Sequence, residues 1–148
     1  MDEKSLKFLI NSRQSTYASG MKADEINGGK TYVIKSGNLE YRDTYFDQHL
    51  IFQGQEVLFE DGQPVWSMSY RGAAVEGVDA GAVFAVLQKF IKEYSDKVRF
   101  GNNFEKDEGE YKYSCSATGD PSEFSGREEI YQNGKLVHWM NYFGGSIQ

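Results

Sequence analysis

Phe52 to Val75 reads FQGQEVLFEDGQPVWSMSYRGAAV, and 72 positions later Phe124 to Ile147 reads FSGREEIYQNGKLVHWMNYFGGSI. The stretches align without a gap, and eight of the 24 positions are identical: Phe52/Phe124, Gly54/Gly126, Glu56/Glu128, Gly62/Gly134, Val65/Val137, Met68/Met140, Tyr70/Tyr142 and Gly72/Gly144. Unrelated segments of this length share roughly one or two, so the chain reads as an internal repeat. Asp61-Gly62 and Asn133-Gly134 fall at the same place in both copies. Asp, Asn and Gly tolerate the positive φ of a tight type I′ turn, so each copy reads as a strand, a hairpin and a returning strand.

Periodicity supplies the rest. Ser5 to about Tyr17 places Leu6, Leu9, Ile10, Arg13 and Tyr17 at helical spacing, with the Arg13 stem laid along the apolar stripe. Ala18 to Lys30, with three glycines and no periodicity, reads as a mobile loop. Thr31 to Ile34, Leu39 to Phe46, Gln55 to Glu60 and Pro64 to Tyr70 read as strands. Asp79 caps a second helix over Ala80 to Tyr94, whose stripe is Val83, Val86, Leu87, Phe90, Ile91 and Tyr94. Strands then recur at Asn103 to Lys106, Tyr111 to Ala117, Arg127 to Gln132 and Leu136 to Phe143. The expected fold class is α+β, an internal duplication of a helix plus four-stranded antiparallel unit with pseudo-twofold symmetry, each helix covering its own sheet. It reads as a single domain over 1–148, made of two repeats at about 5–75 and 77–147. Two arrangements fit that pattern: the sheets merge into one, or they pack as two layers.

Charge and composition exclude several functions. The net charge is −6 and the Lys and Arg residues are scattered, so the basic face that nucleic acid or an anionic membrane needs is missing; neither is an expected partner of this chain alone. Ten Tyr and ten Phe supply the bulky apolar area of a sound core. Cys115 is the only cysteine, which excludes an intrachain disulfide and a thiolate-rich metal site. His49 and His138 lie too far apart to form a metal signature. No signal-peptide pattern or membrane-length apolar run occurs, so the expected location is cytoplasmic. No nucleophile elbow, phosphate-cradling glycine loop or dinucleotide fingerprint is present; no cofactor and no catalytic residue is assigned. Oligomeric state is not encoded in any of these patterns.

Positions kept in both copies read first as architecture, and positions that differ are the better functional candidates. The shared glycines suggest bulges or tight turns. Glu56 and Glu128 read as edge or turn hydrogen bonding, with a two-carboxylate site as the alternative. Tyr41-Arg42-Asp43-Thr44-Tyr45-Phe46 stands against Tyr113-Ser114-Cys115-Ser116-Ala117-Thr118. Strand alternation puts Tyr41, Asp43 and Tyr45 on the core side and Arg42 and Thr44 on the other. Asp43 then points inward, either held by a Tyr hydroxyl or backbone, or serving as the polar anchor of a pocket walled by Tyr41 and Tyr45. Trp66 stands against His138. A Trp66-Met68-Tyr70 stripe reads as core or as an aromatic ligand wall, and His138 as a half-buried, satisfied histidine. Cys115 fits a buried small residue.

The stretches FLINSRQSTYASG (8–20), LEYRDTYF (39–46), FQGQEVLFEDGQPVWSMSYRG (52–72) and FSGREEIYQNGKLVHWMNYFGG (124–145) resemble a bacterial family of uncharacterised proteins, domain-of-unknown-function family number 5680. The likeness covers nearly the whole chain. Its markers are Thr16 to Ala18, Tyr41 to Phe46, Gly54 to Glu56, Pro64 to Gly72 and Phe124 to Gly145; Gly72-Ala73 departs from an expected pair of glycines. The resemblance implies no activity. Some members resemble the C-terminal halves of helix-turn-helix regulators, which implies a sensing or regulatory role.

Three functions follow as expectations. The first is a module that binds a small-molecule ligand through Tyr41, Arg42, Asp43, Tyr45, Trp66, Tyr70 and His138, with Arg42 as an anion contact if the facing is reversed. The second is a small enzyme using Asp43, Glu56 or His138 as acid or base. The third is a protein-protein interaction module with an exposed strand edge or aromatic patch.

Overall fold

The computed structural model describes residues 1–147. Asp2 starts the first helix: its carboxylate accepts the Ser5 amide at 2.7 Å, and α1 runs Glu3–Ser15. A 3-10 turn, Tyr17–Ser19, ends on Gly20 in the left-handed region. Five strands follow: β1 (Asp24–Ile26), β2 (Gly29–Ser36), β3 (Leu39–Gln48), β4 (Ile51–Glu60) and β5 (Gln63–Ala74). Asp79 then accepts the Ala82 amide at 3.1 Å and opens α2 (Ala80–Tyr94). The chain closes with β6 (Phe104–Glu108), β7 (Tyr111–Asp120), β8 (Glu123–Gln132) and β9 (Lys135–Ser146). Asp61-Gly62 and Asn133-Gly134 all take positive φ, as the tight hairpins require. No helix among the described residues is long and apolar enough to cross a membrane.

The nine strands form one antiparallel sheet in the order β1-β2-β3-β4-β5-β9-β8-β7-β6. This corrects the expected α+β duplication of a helix plus four-stranded unit. A single sheet dominates, and two helices lie on it. The likeness of Phe52–Val75 to Phe124–Ile147 is a likeness of strand pairs and does not extend to a helix-plus-sheet unit. The physical reason lies at the centre. The free edge of β5 hydrogen-bonds to β9, with Tyr70 opposite Tyr142, so no inner edge is left to bound a second sheet. The merged sheet then offers one common apolar face, and both helices bury their stripes there. They touch each other, Gln14 donating to the Lys92 carbonyl at 3.0 Å and the Ser95 hydroxyl to the Ile10 carbonyl at 3.3 Å. Helix α2 reaches strands of both halves: Phe84 packs edge-on against Phe52 of β4 and His138 of β9, and Phe90 stacks on Tyr113 of β7. The segment read as a loop before Lys30 contains the 3-10 turn and β1, so the first half carries an element with no counterpart in the second.

Strand alternation decides which residues are covered. Tyr41, Leu58, Trp66, Met68, Tyr113, Ile130 and Met140 point under the helices and are fully buried, while Arg42, Gln53, Gln55, Arg71 and Asn141 face water on the other side. Gly54 and Gly126 are neither bulges nor tight turns. A Cβ at Gly54 would lie 2.6 Å from the Tyr70 hydroxyl, and one at Gly126 2.5 Å from that of Tyr142. Each glycine makes room for the tyrosine that lies across it from the paired strand.

Two ion pairs sit inside. Arg13 of α1 donates from Nε (3.0 Å) and Nη2 (2.6 Å) to Glu56 of β4, and Tyr41 donates its hydroxyl to the same carboxylate at 2.9 Å. Arg99, in the segment after α2, holds Glu128 of β8 through Nε and Nη2, both at 2.9 Å, and Tyr113 donates to it as well. This corrects the expectation of edge or turn hydrogen bonding for the two glutamates, since both are central and buried. The cations come from different elements, one from a helix and one from a loop, which is a further departure from two copies of one unit. Arg13→Met leaves the Glu56 carboxylate buried without its cation and should cost about 3–5 kcal/mol. Adding Glu56→Gln should recover more than half of that loss. Urea denaturation of the single and double variants measures both.

Candidate functional site

Helices and sheet do not close completely over β3 to β5. A cavity of about 250 Å³ remains, floored by Tyr41, Asp43 and Tyr45 of β3, Glu56 of β4 and Tyr70 of β5. The first helix and its 3-10 turn add Arg13, Thr16 and Tyr17; α2 adds Phe84, Leu87, Gln88 and Ile91; Arg99 reaches in from the segment after α2. Its mouth is the β3–β4 hairpin, where Asp47, His49 and Ile51 are exposed and His49 turns the chain at φ 56°. Arg99 also holds a positive φ of 62°, a conformation that costs a non-glycine residue about 1 kcal/mol or more and that the Glu128 pair holds in place.

Asp43 and Glu56 stand directly opposite each other on neighbouring strands. Their environments differ. Glu56 has Arg13 and Tyr41. Asp43 accepts only the Tyr70 hydroxyl, at 2.6 Å on Oδ1, and no ion pair among the described residues reaches it. Burial, and then the negative charge of Glu56, push its carboxyl up to about 7; the Tyr70 hydrogen bond and the charges of Arg99 and Arg13 oppose this without offsetting it. Glu128 behaves in the opposite way. Burial would raise it, but the Arg99 charge and the hydrogen bonds from His138 and Arg99 hold it well below the usual carboxylate range. Burial also pushes the Tyr41 and Tyr70 phenols well up, so both stay protonated and serve as donors.

Of the residues singled out in the sequence, Tyr41, Asp43, Tyr45 and Tyr70 line this cavity, and Arg42, Trp66 and His138 do not. Arg42 lies on the outer face, paired with Glu40 and set over the Phe59 ring at 5.0 Å. Trp66 is wholly enclosed: it stacks on Phe124 at 5.9 Å and donates its indole N–H to the Pro121 carbonyl at 2.9 Å. His138 is fully rather than half buried, stacked on Phe52 at 5.8 Å with Nε2 3.1 Å from Glu128. Cys115 is buried 2.7 Å from the Tyr142 hydroxyl. Among the described residues no group of three or more His, Cys, Asp or Glu is placed to hold a metal ion.

Sequence reasoning missed Arg13, Arg99, Tyr17 and the α2 side chains as cavity residues. Arg13 carried a signal, since it shares the apolar stripe with Leu9 while alternation with Leu58 turns Glu56 inward, and a buried carboxylate needs a cation. Arg99 carried none; it lies in an aperiodic segment between Val98 and Phe100.

The family model described as Domain of unknown function (DUF5680) matches residues 43–147. No curated protein and no solved structure matches the chain. The matched residues begin at Asp43 itself and include Tyr45, Glu56 and Tyr70 of the cavity floor, with α2; Tyr41 and the α1 lining lie before them.

The raised carboxyl has a consequence for stability. Folding lifts Asp43 from 3.8 to about 7, so the native state holds this proton more tightly than the unfolded chain. The stability this contributes is complete below about pH 4 and is lost as pH rises through 7. Asp43→Asn keeps the shape and removes the titration. It should melt close to wild type at pH 4 and roughly 9–18 °C above it at pH 8, read by thermal denaturation across that range.

Proposed function

The chain belongs to the DUF5680 family, and from that premise we propose that it is a small-molecule-binding module, of a sensing or regulatory kind, that takes its ligand in the cavity at Asp43. One observation carries this reading. A cavity of about 250 Å³ joins an apolar wall (Phe52, Phe84, Leu87, Ile91) to one buried carboxyl that titrates near neutrality and to several phenols. Binding sites are typically built this way, from an apolar body with a few convergent polar groups. Two buried Arg–Glu pairs brace the site, so little ordering is left for the ligand to impose. Because α1, α2 and the sheet all contribute lining, an occupied cavity ties the helices to the sheet, which suits a sensor. We place the protein in the cytoplasm, a reading supported by a single buried cysteine and by the lack of any disulfide.

A specific observation favours a second reading. Asp43 titrates near 7 beside Glu56, within reach of cavity contents, which suits a general acid or base.

The test is a thermal-shift screen over nucleotides, amines, carboxylates and sugars, run on wild type and on Gln88→Trp, which puts a bulkier side chain into the α2 side of the cavity. A ligand at 100 times its Kd should add about 2.7 kcal/mol, or roughly 5–11 °C. A shift present in wild type and lost in Gln88→Trp supports binding in the cavity. A shift that survives Gln88→Trp, or no shift with any class, refutes it. Following each hit by NMR for conversion separates the sensor from the enzyme.

A further inference from the structure

The charges inside the cavity name the chemical class of its ligand. Two arginines reach it, and each is already neutralised: Arg13 by Glu56 and Arg99 by Glu128, both through two nitrogens. Arg13 Nη1 makes no hydrogen bond, but that atom is closed to solvent and its guanidinium carbon lies 4.6 Å from the Phe100 ring, so it offers an anion no open seat. Asp43 is left over. Its only partner is the neutral Tyr70 hydroxyl, and no Lys, Arg or His among the described residues bonds it. Aromatic rings surround it. Tyr17 and Tyr45 meet edge to face at 6.5 Å, the Tyr70 hydroxyl bonds the carboxylate, Tyr41 lies two positions along the same strand face, and Phe52 and Phe84, edge to face at 6.1 Å, line the same cavity.

A lone carboxylate among aromatic faces is the complement of an organic ammonium, whose charge the carboxylate pairs and whose alkyl groups rest on the rings. An anion would instead have to take an arginine from a buried glutamate, and a neutral molecule would leave Asp43 uncompensated wherever it is ionised. We propose that the ligand is a small organic cation, an amine or quaternary ammonium, with its nitrogen against Asp43 and its substituents towards Phe52 and Phe84. This rests on the binding reading above and specifies it.

Isosteric probe pairs test it by calorimetry at pH 8, where Asp43 is ionised. Choline is compared with 3,3-dimethylbutan-1-ol, and benzylamine with benzyl alcohol; benzoate serves as the anion. At least one cation should bind with an affinity on the order of tenfold or more above its neutral partner, and Asp43→Asn should reduce that affinity by a similar factor. Equal binding of cation and neutral partner, or binding unchanged by Asp43→Asn, overturns the proposal. The wild-type comparison needs no variant, so a poorly folding Asp43→Asn does not protect the idea. Benzoate or an alcohol binding in wild type and lost in Gln88→Trp, with no cation bound, refutes the cation class and keeps the binding reading. No binding by any probe counts against the cation proposal, and the broader screen then decides the binding reading on its own.

Discussion

Two carboxylates, Glu56 and Glu128, are buried on the inner face of the sheet, and much of what covers that face is placed to neutralise them. An isolated carboxylate in such a site costs several kcal/mol, so each needs a cation delivered from the layer above. For Glu56 the cation is Arg13, which fixes how α1 is rotated and how far along the sheet it lies. For Glu128 it is Arg99, which draws the segment after α2 inward and forces its backbone to a positive φ. The helices are therefore held by a charge requirement as well as by their apolar stripes.

The cavity follows from the one place where that requirement is not met. Asp43 and Cys115 sit at matched strand positions and each meets a tyrosine hydroxyl, Tyr70 in one case and Tyr142 in the other. The thiol is a small near-apolar group that packs away without a charge partner. The carboxyl has no counter-ion, and the space next to it stays open between β3, Tyr17 and α2. Of these two matched positions, the one that carries the carboxyl lines the cavity.

Local structure was legible where one short stretch of chain decides it. Asp61-Gly62 and Asn133-Gly134 declared their hairpins because few residue pairs adopt that turn, and Asp79 with the stripe to Tyr94 marked α2 to the residue. Alternation along β3 put Tyr41 and Asp43 inward and Arg42 outward. The expected α+β duplication failed because it depended on which edges pair. Strand patterns recur identically whether β5 ends a sheet or joins β9 inside one. The partners of Glu56 and Glu128 are remote in sequence, Arg13 by 43 positions and Arg99 by 29, and only Arg13, set on the apolar stripe of α1, carried a local signal. Trp66 and His138 were singled out for breaking the likeness between the two stretches, and both are walled off from the cavity by their own packing.

Merging all strands into one sheet also changes what the molecule presents to its copies. A single open sheet has two outer edges, here β1 and β6, where separate sheets would have four. An edge strand exposes backbone donors and acceptors that any extended chain can join. β1 is a three-residue strand bearing Asp24 and Glu25, and β6 bears Glu105, Asp107 and Glu108 against one lysine. A continuation of the sheet through these edges brings strands rich in acids side by side, although Lys112 and Lys89 pair Glu105 and Glu108 within the molecule. The acidic residues of β1 and β6 therefore oppose edge-to-edge joining at the two borders of the sheet.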